Sequence, residues 1–168
     1  RLIMFASREG GVVPDLVPTH DGHARYGLMP WNTFRDAVVD LPDKMESVKF
    51  SERRLKYYRL LKAGENWRNL PEELKHEAMG KSYHSGGGKT GFYRRLAWDK
   101  PSPTVVTRPN MPATDLCHPT ENRPLSVQEY SRIQTFPDSW NFAGSITDKY
   151  LQIGNAVPPL LGLAVARA

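Results

Sequence analysis

A chain of 168 residues with a net charge of +5 is long enough for one ordinary domain, or a small domain with a piece of its neighbour. Its single cysteine, Cys117, excludes an internal disulfide framework and any multi-cysteine zinc site, and favours a reducing compartment. No apolar run approaches the roughly 20 residues that cross a bilayer, and 13 glycines with 14 prolines point to a loop-rich fold.

The first seven residues, Arg1 to Ser7, form a short apolar, β-prone run before Gly10 and Gly11, and are expected as a buried strand. The chain opens on Arg1 rather than Met and shows no signal-peptide pattern, so it reads as starting inside a longer protein. Residues 14–30 look irregular, and weak helical spacing over Trp31 to Val39 allows one short helix.

Two firmer helices follow. Ser51 to Ala63 has a capping serine, Leu55, Tyr58 and Leu61 at helical spacing, and Gly64 as a left-handed stop. Pro71 opens a second helix to Met79, ahead of Gly80. The pattern then changes, because Gly86-Gly87-Gly88 holds no regular structure cheaply. Between Lys81 and Pro112 the cations Lys81, Lys89, Arg94, Arg95, Lys100 and Arg108 face Asp99 alone, interleaved with Tyr83, Phe92, Tyr93 and Trp98. Such a stretch suits a polyanion with flat bases, or else is a solvated basic face.

Trp98 to Thr107 reads as a turn and then a strand, Thr104-Val-Val-Thr107. Cys117, in Asp-Leu-Cys-His-Pro, is expected as a buried structural thiol rather than a nucleophile. His20, His23, His76, His84 and His118 lack metal-ligand spacing, so no metal is expected. Ser126 to Gln134 is the best-specified helix, with Ser126 and Glu129 as a capping box and Leu125 and Tyr130 at the staple positions. The last helix, from about Pro158 to Ala168, is apolar nearly all round and is expected to be buried. Before it, Gly154-Asn-Ala-Val-Pro158 offers either a helix cap or a seat for an anion at a helix N-terminus.

Arg123-x-Leu-Ser-x-x-Glu-x-x-Arg-x-Gln-x-Phe-Pro137, followed by Gln152-Ile-Gly-Asn-Ala-Val-Pro158, resembles the last two sequence blocks of the cytosine-5 DNA methyltransferases, in the right order. The family's cofactor loop, Pro-Cys nucleophile and Glu-Asn-Val acid lie upstream of these blocks and are not in this chain. The resemblance implies an α/β fold. Residues 1–10 and 151–168 would be fragments of the doubly wound, Rossmann-like domain, and residues 11–150 the small, loop-rich target-recognition domain that includes block 123–137. It implies that Asn155, Ala156 and Val157 lie beside S-adenosylmethionine, with Ala156 where the family often has Ser. Arg1 would hold the ring oxygen of the target cytosine. Thr104 and Val105 match a dipeptide of the variable region, and Lys89, Arg94 and Arg95 are the expected DNA contacts, with a surface ion-pair network as the alternative. Arg123, Glu129, Arg132 and Gln134 are expected as structural hydrogen-bonding residues. The resemblance further implies a bacterial, cytoplasmic, restriction–modification enzyme. Its partners would be double-stranded DNA and the missing N-terminal catalytic segment or subunit, with no membrane, and this chain alone would be inactive. A non-enzymatic DNA-binding or assembly module, or a natural subunit of a split methyltransferase, is the alternative.

Overall fold

The computed structural model describes residues 3–6, 8, 10–12, 15–42, 45–87 and 89–168. The fold is mixed but helix-rich. Among the described residues a two-residue parallel pair, β1 (His20–Asp21) and β2 (Met29–Pro30), precedes six α-helices. These are α1 (Phe34–Val38), α2 (Glu52–Tyr58), α3 (Glu72–Met79), α4 (Val127–Ile133), α5 (Ile146–Asn155) and α6 (Pro159–Arg167).

Capping sets most helix starts. Thr33 and Asp36 close a capping box on α1, and its first N–H groups reach outward, Phe34 to Lys100 O at 2.9 Å and Arg35 to Trp98 O at 3.0 Å. Ser126 and Glu129 do the same for α4, with Ser126 N donating to Glu129 Oε2 at 2.6 Å. Helix α2 ends at Tyr58, a turn earlier than its pattern predicts. There the chain tightens into Leu60-to-Tyr57 and Leu61-to-Tyr58 bonds and reaches the left-handed Gly64, φ 84°, after the helix. Helix α3 ends as its sequence predicts, at Gly80 with φ 53°.

The centre is an irregular three-segment ladder. Leu96 N donates to Cys117 O and Cys117 N to Arg94 O, while Leu125 N reaches Leu116 O, each at 3.0 Å. Alternation along these segments sends neighbouring residues into different cores. Leu96, Leu116 and Leu125 join α1, α4 and α5 in one cluster. Tyr93 and Cys117 join α2 and α3 in the other, with Tyr57, Tyr58, Trp67 and Met79.

Three expectations need correction. Residues 3–6 form no strand, and Met4 is 86% exposed; Arg1 lies outside the described residues. Residues 104–107 pair with no strand, because the backbone at Val106 and Thr107 packs against Gly154 instead. Helix α6 is not buried: none of its residues is, and Leu160 is 62% exposed. Helix α5 was not foreseen, although Ser145 and Asp148 form a capping box that Tyr150 and Ile153 follow at helical spacing.

Candidate nucleic-acid interface

The basic, glycine-rich stretch folds as two tight turns, Gly80–His84 and Lys89–Gly91, laid over an aromatic floor. Tyr83 packs its ring against Trp67 and His76. Trp67 Nε1 donates to Lys89 O at 2.8 Å, and the Lys89 ammonium turns back to Tyr83 O at 2.5 Å. Lys89 is thus tethered at both its backbone and its tip, with one of its three donors engaged inside the protein. Arg94 is half-buried, its Nε donating to Thr90 O at 3.2 Å.

A second loop lies alongside, and sequence reading missed it as part of this surface. A methyl group added to Gly91 would land on the Ala113 carbonyl, so only glycine lets residues 108–114 come this close. Asp115, fully buried, anchors both loops: it pairs with Arg54 and accepts from Tyr58 Oη at 2.8 Å and from Tyr93 N at 3.3 Å. Arg54 in turn donates to Asn110 O at 2.7 Å. Lys81, Lys100 and Arg108 are exposed, as is Thr104.

Two of the expected contacts face inward. Arg95 is 3% exposed; its guanidinium donates to Tyr58 O, His118 O and Glu121 O at 2.7–2.9 Å and to Asn122 Oδ1. It ties the ladder to the end of α2 and cannot reach a nucleic acid. Val105, 2% exposed, is part of the first core.

Beneath this surface the Arg123 block does structural work, as its residue types suggest. Arg123 makes paired bonds to Glu129 (2.8 and 3.0 Å) and to Glu121 (both 3.0 Å). Arg123 is buried against its own charge, but these carboxylates outweigh that cost and raise its pKa above the usual guanidinium range. Arg132 pairs with Asp40 and Asp138. His118 lies edge-on to Trp98, with Nδ1 accepting from Glu121 N at 3.1 Å. Burial lowers its pKa below 6.5, against the opposing pull of Glu129. A depressed histidine leaves the unfolded chain binding the proton first. Its contribution is therefore present above pH 6.5 and lost as pH falls from there through the folded value. Replacing His118 by glutamine is expected to flatten the fall of the melting temperature over that acid window. An unchanged slope would assign the acid sensitivity to other groups.

The Gly154–Pro158 segment is a turn between two helices. Asn155 is the last residue of α5 and is exposed, as is Val157, while Ala156 is half-buried. The start of α6 offers few N–H groups to an anion. Pro158 and Pro159 carry no N–H, Leu160 N donates to Thr135 Oγ1 at 3.1 Å, and Ala156 N is held by Gln152 O at 3.1 Å. The Asn155 carboxamide at the surface is the group that can meet a ligand.

Cys117 is fully buried beside Glu121 O, and burial pushes its thiol up to about 12, so it carries no thiolate at neutral pH. Among the described residues no group of three His, Cys, Asp or Glu side chains could hold a metal ion. No helix among them is long and apolar enough to cross a membrane.

Comparison with known proteins agrees with these two blocks and extends beyond them. The chain is 49% identical over 129 residues to the Type II methyltransferase M.Eco47II of Escherichia coli, covering 77% of this chain and 31% of that protein. It is 48% identical over 130 residues to M.PspPI of Psychrobacter sp. (strain TA137), with the same coverage. Identity to M.Sau96I of Staphylococcus aureus is 43% over 125 residues, 74% of this chain and 29% of that protein. The chain thus spans about a third of the length of these relatives. Residues 3–168 match the family model described as C-5 cytosine-specific DNA methylase, so the chain belongs to that family.

Proposed function

We propose that this chain is the DNA-recognition part of a cytosine-5 DNA methyltransferase of restriction–modification type, cytoplasmic and bacterial. Residues 11–150 form its target-recognition domain. Residues 1–10 and 151–168 belong to the doubly wound, Rossmann-like domain. The observation that carries this reading is the pair of loops, 81–94 and 108–114, held side by side by Gly91 and Asp115 with Lys81, Arg94 and Arg108 on their surface. Lysine and arginine at such a surface neutralise phosphates, and an arginine can pair bidentately with guanine. Thr104 leads into the second loop. Arg1, on the same reading, holds the ring oxygen of the target cytosine.

In this chemistry the cytosine is flipped from the duplex, a cysteine thiolate adds to ring carbon 6, carbon 5 takes the methyl group, and loss of the carbon 5 proton with cleavage of the C6–S bond restores the ring and the thiolate. S-adenosylmethionine supplies that methyl group. Cys117 cannot be the thiolate, so the nucleophile comes from the N-terminal catalytic segment or subunit that partners this chain. Here Asn155, Ala156 and Val157 supply one edge of the cofactor site, and the exposed carboxamide of Asn155 suits a carboxylate.

The test combines this chain with the catalytic segment and follows transfer of a labelled methyl group to duplex DNA. The chain alone is expected to transfer none. In the complete enzyme Cys117→Ala is expected to leave transfer intact, Lys89→Ala to weaken DNA binding on all sequences alike, and Arg94→Ala to cost about 1–3 kcal/mol and relax preference at one base position. Transfer by the chain alone, lost in Cys117→Ala, would sink the reading.

A further inference from the structure

Two consecutive residues outside the cofactor turn hold both of its ends. Gln134, 5% exposed at the end of α4, sends its side-chain Nε2 to Ile153 O at 2.8 Å and to Ala156 O at 3.4 Å, on the α5 side of the turn. Thr135 accepts Leu160 N at 3.1 Å, on the α6 side.

The backbone conformation of Thr135 is unusual for its residue type. Its φ is 63°, in the left-handed region that a β-branched residue rarely enters. Thr135 N closes the bend on Arg132 O at 2.9 Å. Glycine would make this bend without strain but would leave Leu160 N without its acceptor. Strain held at a residue whose side chain has a defined partner points to a role for that partner. The third side of the turn is closed by packing. A methyl group on Gly154 would sit 2.6 Å from the Val106 carbonyl carbon and from Thr107 N, so the backbone leading to the 108–114 loop touches the turn directly.

We infer that Gln134 and Thr135 are positioning residues for the methyl donor: they fix the Gly154–Pro158 turn so that Asn155 faces it, while the close packing of Gly154 on Val106 and Thr107 joins the turn to the segment leading into the 108–114 loop. This rests on the proposal that the turn lines the cofactor site. Neither side chain touches the cofactor. Both act through the backbone of the turn, which their amide and hydroxyl hold from one side and the packing of Gly154 from the other. A loosened turn costs cofactor affinity before it costs the fold, because Tyr150 and Ile153 keep α5 in the core regardless.

The test uses the complete methyltransferase containing this chain, with equilibrium binding of S-adenosylmethionine, Michaelis constants for cofactor and DNA, and melting temperatures. Thr135→Gly is expected to weaken cofactor binding about tenfold, the equivalent of one lost hydrogen bond. The Michaelis constant for DNA is expected to hold, with no matching loss of thermal stability. Thr135→Ser, which keeps the hydroxyl, is expected to bind the cofactor like the wild type, and Gln134→Ala, whose buried carboxamide also supports the fold, to weaken cofactor binding by more than its lower melting temperature accounts for. If glycine and serine variants bind the cofactor equally well, or if cofactor affinity falls only in step with melting temperature, the inference is overturned. Asn155→Ala separates this from the reading beneath it. It is expected to weaken cofactor binding by itself; if it does not, the turn does not line the cofactor site and both ideas fall. If it does while Thr135→Gly binds normally, only the positioning role is lost.

Discussion

Arg123→Ala is expected to destabilise the fold by about 3–5 kcal/mol, while Arg132→Ala, nine residues on, is expected to cost about 1 kcal/mol or less. Both arginines belong to the same sequence block and both make paired bonds to carboxylates. What separates them is the burial of the acid. The Glu129 side chain is 1% exposed, and its Oε2 already accepts Ser126 N at 2.6 Å as the cap of α4. Removing Arg123 leaves that carboxylate in the core without its countercharge, and α4 begins on it. Asp40 and Asp138, the partners of Arg132, are 68% and 64% exposed, so water replaces the guanidinium when it is lost. Urea unfolding of the two variants decides the matter: the midpoint is expected to fall sharply for Arg123→Ala and little for Arg132→Ala, with the slope unchanged in both. Equal losses would mean that the Arg123–Glu129 pair is solvated in the folded protein.

The same contrast explains what the sequence made legible. Local chemistry reads well because it depends on a few neighbours along the chain. The Ser126–Glu129 box, the stop at Gly80 and the left-handed Gly64 are written at fixed offsets, and the structure has each of them. The box at Ser145 and Asp148 uses the same offsets and could have been found the same way. Strands were harder. Apolar β-prone runs at residues 1–7 and 104–107 satisfy the composition of a strand, but a strand needs a partner edge. At Val106 and Thr107 the neighbour is Gly154, far later in the chain. Nothing in the run itself announces that neighbour.

Helix α6 fails for a related reason. Its leucines show that some surface is meant to be covered, and periodicity alone does not say by what. The proposed site divides along the same line. Gly154 and Asn155 stand out by residue type and spacing, whereas Gln134 and Thr135 act on them from another helix. Only the folded chain shows Gln134 Nε2 on Ile153 O. The 108–114 loop was hidden in the same way, since its place beside Arg94 depends on the close approach of Gly91 to Ala113.

Arg94 and Arg95 put the limit in its sharpest form, and they yield the second large expected effect. As adjacent arginines in a basic stretch they are indistinguishable by composition. The ladder separates them, because alternate residues face opposite ways, and it sends Arg95 inward. There the planar guanidinium bonds to Tyr58 O, His118 O and Glu121 O and to Asn122 Oδ1, joining α2 to the loop between the second and third segments of the ladder. Arg95→Ala strips a charged donor from all four acceptors, leaving the buried His118 carbonyl unpaired while Tyr58 O keeps only Leu61 N at 3.2 Å, so a loss of about 3 kcal/mol is expected. Lysine is expected to restore little, since a single ammonium cannot span acceptors arranged around a planar fork. Arg94→Ala is expected to leave the urea midpoint almost unchanged and to act on DNA binding alone. Measured together, the two variants separate a residue that builds the reading surface from one that uses it. If Arg95→Ala instead unfolds at the wild-type midpoint but loses DNA binding, its guanidinium faces the nucleic acid and the inward assignment is wrong.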